Sequence, residues 1–300
     1  MQRKGIILAG GKGTRLRPVT ISVCKPLLPV YDKPMIYYPL SILMQAGMRE
    51  IAIITTPEDQ PLFQRLLGDG SQWGIRLEWI IQPTADGIAQ AYILAEDFLD
   101  GTPSVLALGD NLFLGEGLPK HLASANRTIP GGTIFAYEVN DPERYGVAAF
   151  EGNRVTGIVE KPANPPSNYA ITGLYFLDAN APRRARDVKP SERGELEIVS
   201  LLESYLEEGV LSVEKLSTGI EWFDAGTHDA LLEAGQAVQR LQKSGELFGS
   251  PDGAAFSYGW SAGETVESAL LQLGNTNYGL MLGALVKNGV GHPVSSHLTR

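Results

Sequence analysis

Three glycines and two cations crowd into Gly10-Gly11-Lys12-Gly13-Thr14-Arg15. Glycine lets the backbone approach an anion closely, and main-chain N–H groups then face it. Arg15 adds a permanent, fork-shaped cation. That chemistry is phosphate binding. Two familiar phosphate loops do not fit. The P-loop needs Gly-Lys followed by Ser or Thr, whereas Lys12 is followed by Gly13. The dinucleotide fingerprint needs a glycine three residues after Gly13, where Leu16 stands. From this loop alone, a plain glycine-rich turn remains the alternative.

Five other places carry reactive groups. Lys25 lies in Cys24-Lys25-Pro26-Leu27-Leu28-Pro29, either as a phosphate-binding point charge on a stiff loop or as a solvated lysine. Asp110 ends the apolar run Leu106-Ala107-Leu108-Gly109, and Asp224 sits in Trp222-Phe223-Asp224-Ala225-Gly226-Thr227. Two such carboxylates suit a magnesium ion bridging phosphate oxygens. For Asp224, capping of the helix that follows is an equal alternative. Glu160-Lys161-Pro162 offers a cation for a second phosphate and an acceptor for sugar hydroxyls, or else only a surface ion pair. Arg193-Gly194-Glu195 offers one more cation. No serine–histidine–acid set is readable. His121, His228, His292 and His297 lack metal-ligand spacing, and none is given a role.

These groups need elements that bring them together. Gly5 to Ala9, Ile51 to Thr55, Leu77 to Ile81 and Ser104 to Leu108 read as buried strands. Pro34 to Gly47, Gln60 to Leu67 and Ile88 to Phe98 read as helices between them. The alternation predicts an α/β fold, a Rossmann-like, mainly parallel sheet with helices on both faces. In such sheets ligands bind beyond the carboxyl ends of the strands. The glycine loop and Asp110 both follow strands, so they should share one rim. Thr133 to Val139, Val147 to Phe150, Val155 to Glu160 and Ile171 to Leu177 read as a small mixed or antiparallel part that forms a sugar-sized half of the cleft. Leu196 to Glu208 and the stretch after Asp224 read as helices. A core over 1–245 and a C-terminal helical appendage with its tail over 246–300 are expected, the tail from Lys287 being loose.

Bulk properties exclude several classes. The 300 residues carry 25 basic and 34 acidic side chains, a formal charge of −9, which argues against nucleic acid as a partner. Cys24 is the only cysteine, so neither an intrachain disulfide nor a cysteine-rich zinc site is possible. No apolar stretch reaches membrane-spanning length, and the chain starts on a strand-like run with no signal-peptide pattern. A cytoplasmic protein is the expectation.

Taken together, the motifs identify a resemblance to the sugar-1-phosphate nucleotidylyltransferases, from about Lys4 to about Gly279. It is carried by Gly10 to Arg15, Leu27 to Leu40, Leu67 to Gly74, Gly109 to Asn111, Asn140 to Gly146 and Asn168 to Phe176. The resemblance implies Mg2+-dependent in-line attack of a sugar-1-phosphate oxygen on the α-phosphorus of a nucleoside triphosphate, with pyrophosphate leaving. It implies dTTP and glucose-1-phosphate as substrates and dTDP-glucose as product, the alternative being a UTP-using or other sugar-1-phosphate enzyme. It implies catalytic Arg15, Lys25 and Lys161, metal ligands Asp110 and Asp224, and nucleotide contacts at Leu8, Gly10, Gly11, Gly13, Thr14, Gln82, Gly87 and Asp110. Gln82 and Gly87 would read the base edge. Tyr145, Gly146, Glu160, Lys161, Thr172 and Arg193 would line the sugar-phosphate pocket. A homotetramer is implied, with a regulatory nucleotide site near the interface in the region that Pro251 to Asn277 resembles. Inhibition by a dTDP-sugar would follow from that site. Two positions depart from the dTTP-using pattern. Pro26 replaces a glutamine that contacts the base, which opens tolerance for UTP. Phe223 replaces a smaller apolar residue, which alters only packing. A non-catalytic sugar-nucleotide-binding regulator would have lost some of Arg15, Lys25, Asp110 and Asp224, and all four are present.

Overall fold

A computed structural model describes residues 2–11, 13–152, 154–261 and 263–289. In chain order the strands are β1 (Lys4–Leu8), β2 (Pro29–Val30), β3 (Lys33–Pro34), β4 (Glu50–Thr55), β5 (Arg76–Ile81), β6 (Ser104–Leu108), β7 (Leu112–Leu114), β8 (Gly132–Glu138), β9 (Gly146–Glu151), β10 (Arg154–Glu160), β11 (Tyr169–Leu177), β12 (Leu211–Lys215) and β13 (Glu221–Phe223). The helices are α1 (Tyr37–Gln45), α2 (Gln60–Leu67), α3 (Gln90–Leu94), α4 (Glu96–Leu99), α5 (Leu118–Asn126), α6 (Ala181–Asp187), α7 (Ile198–Glu207), α8 (His228–Lys243), α9 (Pro251–Ser257), α10 (Gly263–Leu273) and α11 (Asn277–Lys287).

The parallel half of the main sheet runs β6-β1-β4-β5. Strands β6, β1 and β4 are mainly apolar runs because both their faces are covered, whereas β5, at the sheet edge, carries exposed residues beside buried ones. Ile6 and Ile7 are both fully buried but pack into different clusters, one on each face of the sheet. Burying one such side chain contributes about 1.5–3 kcal/mol. Helix α1 covers one face with Leu40, Leu43 and Met44, whereas Tyr92 of α3 and Leu201, Leu202 and Tyr205 of α7 cover the other.

The antiparallel part is continuous with this sheet. Strand β11 pairs antiparallel with β6 through Leu174 to Leu177 and with β8 along most of its length. Near its start, Ala170 pairs with Val147 of β9, and β10 extends the edge beyond β9. Strand β11 is nine residues long, enough to serve both halves. One sheet therefore holds both halves of the cleft in fixed register.

Several short elements differ from the sequence expectation. The helix expected from Pro34 starts at Tyr37, because Lys33–Pro34 pairs with Pro29–Val30 as a hairpin. The helix expected from Ile88 to Phe98 is two short helices that meet at Ala95. Elements α5, α6, β7, β12 and β13 carried no clear periodic signal. They form because each has a packed apolar face, such as Leu118, Leu122 and Ala125 of α5.

The C-terminal helices use designed-in caps. Ser250 Oγ accepts from Gly253 N and Thr276 Oγ1 accepts from Gly279 N. Helix α9 packs on α1, with Ala254 and Ala255 in the same cluster as Leu40 and Leu43. Tyr258 Oη donates to Gln45 O at 2.6 Å. The tail read as loose lies, beyond Gly289, outside the described residues.

Candidate active site

The glycine loop leaves β1 at its carboxyl end, as the parallel-sheet rule requires. Leu8, Gly10, Gly11, Gly13, Thr14, Arg15, Lys25 and Asp110 all line one cleft of about 320 Å³, in the range of small-molecule sites. Pro26, Ile88, Leu108 and Gly226 complete its wall.

Lys25 is not a solvated lysine, since only 8% of it is exposed. Its Nζ donates to Asp110 Oδ2 at 2.6 Å and to the main-chain oxygen of Asp224 at 3.1 Å. One ammonium thus draws together the ends of two distant segments. The other Asp110 oxygen accepts from Asn111 Nδ2 at 2.9 Å. Asn111 Oδ1 in turn accepts from Gly173 N of β11 and from Trp222 Nε1 of β13. This buried amide locks the Asp110 turn to both neighbouring strands. No local signal marks Asn111 for this role, because its partners lie 62 and 111 residues away.

Asp224 does not cap α8. Thr227 is the cap, its Oγ1 accepting from Ala230 N at 3.2 Å. Asp224 Oδ1 instead accepts from Gly226 N at 3.1 Å, which sets the carboxylate beside Gly226 of the cleft wall, although Asp224 itself does not line the cleft. A Cβ at Gly226 would lie 2.9 Å from Asp224 Oδ2 and 3.0 Å from Arg15 Nη2. Arg15 therefore rests directly against Gly226, beside the Asp224 carboxylate. Arg144 Nη2 stands 3.8 Å from the same carboxylate.

Gln82 and Gly87 do not line the cleft themselves, but each adjoins a residue that does, Gly10 and Ile88 respectively. A Cβ on Gly10 would collide with Gln82 Oε1, so the Gln82 amide lies on the glycine loop. Gln82 Nε2 donates to Gln90 Oε1 at 2.7 Å. Gly87 has φ +108°, and a Cβ there would strike the main chain of Leu196. That close approach is latched by Leu196 N to Asp86 O and Ala89 N to Leu196 O. Gly87→Ala should lower unfolding free energy by about 2 kcal/mol or more, through positive-φ strain and collision with Leu196. Denaturant titration checks it; a loss under 0.5 kcal/mol, on the scale of an ordinary surface change, would count against this geometry.

A second cluster carries the sugar-phosphate candidates. Lys161 N donates to Tyr145 O at 3.0 Å, and Lys161 itself has φ +42°. Its half-exposed ammonium is 3.4 Å from Glu160 Oε1, so the ion pair exists. Arg193 Nη2 reaches Glu160 Oε1 at 3.3 Å and Glu197 Oε1 at 2.8 Å. Gly146 pairs with Glu160 across β9 and β10. Tyr145 stacks edge-on to Trp222 at 5.2 Å, and partial burial followed by the nearby Asp224 charge pushes its phenol up to about 12. The path Tyr145–Trp222–Asn111–Asp110 thus joins the two clusters. Thr172 points elsewhere: fully buried, its hydroxyl donates to Phe135 O at 3.1 Å. With none of its surface exposed, Thr172 presents nothing to a sugar.

The sequence reading found no serine–histidine–acid set, and the structure corrects this. His121 Nδ1 is 2.8 Å from Glu214 Oε2, and Nε2 is 3.4 Å from Ser217 Oγ. These residues are 93 and 96 apart in sequence, so spacing could not reveal them. The group is not part of the described cleft, and Ser217 is exposed. His292 and His297 lie outside the described residues.

A glycine loop and the Asp110 carboxylate beyond the carboxyl ends of parallel strands, with a buried cation that also holds the Asp224 main chain, define an α/β enzyme that handles phosphate. The chain belongs to the nucleotidyl transferase family, whose model matches residues 4–240. It is 53% identical over 293 residues to the glucose-1-phosphate thymidylyltransferase of Xanthomonas campestris pv. campestris strain B100, covering 97% of this chain and 99% of that protein. It is 49% identical over 286 residues to the enzyme of the same name from Neisseria meningitidis serogroup A, covering 95% and 99%. A solved Bacillus anthracis protein in complex with sucrose superposes with a TM-score of 0.74 at 40% identity, covering 79% of this chain and 95% of that one.

Proposed function

We propose that the enzyme transfers the thymidylyl group of dTTP to glucose-1-phosphate, giving dTDP-glucose and pyrophosphate. The observation that carries this reading is Lys25, buried and bridging Asp110 to Asp224 on the glycine-loop rim. In transfers of this kind the protein acts by positioning and charge neutralisation. The N–H groups of Gly10, Gly11 and Gly13 and the Thr14 hydroxyl cradle the triphosphate. Arg15 and Lys25 neutralise charge on the α-phosphorus and on departing pyrophosphate. Leu8 packs on the nucleoside, while Gln82 and the Gly87 main chain read the base edge. Lys161 holds the sugar phosphate. Tyr145, Gly146, Glu160 and Arg193 line the sugar pocket.

The donor set suits Mg2+, which takes one or two carboxylates and fills its remaining positions with water and phosphate. Among the described residues no three His, Cys, Asp or Glu side chains gather as a full protein cage. Asp110 and Asp224 would hold the ion, which when bound spreads charge off the phosphate oxygens.

Among the described residues no helix is long and apolar enough to cross a membrane, in keeping with a cytoplasmic enzyme. The end of the family match at 240 is in keeping with a 1–245 core and a 246–300 appendage. A homotetramer inhibited by a dTDP-sugar belongs to the same reading.

With α-labelled dTTP the label should appear in dTDP-glucose, and γ-label in pyrophosphate. Recovery of α-label in free dTMP would contradict transfer. Lys161→Ala should raise KM for glucose-1-phosphate by about 10-fold or more, the loss of one charge-assisted phosphate contact of about 1.5 kcal/mol or more. The KM for dTTP should stay within about twofold, because uniform binding of one substrate is lost. Initial-rate kinetics with each substrate varied check it; an unchanged KM for the sugar phosphate would remove Lys161 from that role.

A further inference from the structure

An ion pair with no assigned role lies outside the cleft lining. Lys33 is 2% exposed, with Nζ 2.6 Å from Asp32 Oδ1 and over the rings of Tyr38 and Tyr278 at 5.4 and 5.5 Å. Desolvation lowers the lysine pKa and Asp32 opposes that shift. Buried pairs of this kind contribute little net stability over an apolar replacement, so their geometry is the property to explain.

The geometry is that of a junction. The Asp32 carboxylate accepts from Gln242 Nε2 of α8 at 3.1 Å and from Asn277 Nδ2 of α11 at 3.3 Å. Asn277 also donates to Gln242 Oε1 at 3.0 Å. The hairpin that bears Asp32 and Lys33 is bonded on its other side to the segment holding Lys25. Met35 N donates to Leu28 O at 2.9 Å, and Ile36 N donates to Pro26 O at 2.8 Å. Side-chain hydrogen bonds from the C-terminal helices to Asp32, the hairpin backbone, and main-chain bonds from Met35 and Ile36 therefore form one path to the residue next to Lys25.

We infer that the Asp32–Lys33 pair is a positioning device that ties helices α8 and α11 to the Lys25 segment and so holds the Lys25 ammonium against Asp110. Lys33 acts through Lys25 and is not itself catalytic. Displacement of a positioned group by about 1 Å can cost about 10²-fold in rate, so a distant anchor can matter to turnover. The inference rests on the reading of Lys25 as catalytic.

The test is a double-mutant cycle in the full chain, with thermal melts to verify folding. Lys33→Met should lower kcat about tenfold and leave both KM values within about threefold, as expected for a lost transition-state interaction. In a Lys25→Ala background the same change should have almost no further effect, because coupled residues are non-additive. Asn277→Ala, at an exposed position, should show the same pattern at about threefold and serves if Lys33→Met does not fold. A penalty that persists undiminished in the Lys25→Ala background, or unchanged kcat in both single variants, overturns the inference alone. Parental activity in Lys25→Ala itself overturns both the inference and the role of Lys25.

Discussion

Asp110→Asn lowers turnover by about 10³-fold, about 4 kcal/mol of transition-state stabilisation, while the chain stays folded. Asparagine keeps the size of the side chain and an acceptor for the 2.9 Å bond from Asn111 Nδ2. It loses the charge that meets Lys25 at 2.6 Å and the charge that would hold a magnesium ion. Charge placed in advance on the reaction centre is usually the largest single contribution to catalysis. The residual rate should need a higher magnesium concentration for half-saturation. Steady-state pyrophosphate release, with circular dichroism to verify the fold, gives the answer. Turnover within threefold of the parent would remove Asp110 from the metal and charge roles given to it.

Lys25→Ala should lower kcat by about 10²- to 10³-fold, or about 3–4 kcal/mol. The removed ammonium is the donor common to Asp110 and the main chain of Asp224. Without it the two rim segments lose their link, and the triphosphate loses a point charge close to its reacting phosphorus. Arginine should not substitute. Its planar fork is larger and cannot place one nitrogen at 2.6 and 3.1 Å from the two oxygens in a site that leaves Lys25 8% exposed. The KM for dTTP should move less than kcat, because Arg15 and the main-chain N–H groups remain. Single-turnover kinetics separate the two effects; near-parental rates in either variant would contradict the bridging role.

The inner strands of the parallel half were legible because both their faces are covered, so Ile6-Ile7 and Ile51 to Ile54 read as unbroken apolar runs. The glycine-loop rim was legible for a related reason: Gly10, Lys25 and Asp110 lie just beyond strands or in stiff, proline-bounded segments. Long-range pairing was not legible. Nothing local in Asp224 tells a helix cap from a rim carboxylate; the contest is decided by Thr227, three residues on, which takes the cap. Thr172 looked like a pocket residue because its motif does, but strand alternation turns its hydroxyl to Phe135. The Asp32–Lys33 junction was hidden because its partners come from Gln242 and Asn277, more than two hundred residues downstream. His121, Glu214 and Ser217 meet for the same kind of reason, across α5 and the end of β12.

Pro26 in the cleft wall makes base choice the most exacting part of the reading. Proline offers no N–H or side-chain donor to a base, which leaves Gln82 as the polar side chain assigned to that edge. dTTP and UTP differ in the thymine methyl group and in the ribose 2′-hydroxyl, and on the base side one methyl contributes only about 1–3 kcal/mol of discrimination.

Pyrophosphate release across a matrix of dTTP, UTP, ATP, CTP and GTP against several sugar-1-phosphates tests the central claim most directly. The highest kcat/KM should fall on dTTP with glucose-1-phosphate, with one dTDP-glucose formed per pyrophosphate, and UTP should follow within about 10- to 200-fold. A higher kcat/KM for another triphosphate, or pyrophosphate released without a nucleotide-sugar product, would contradict it.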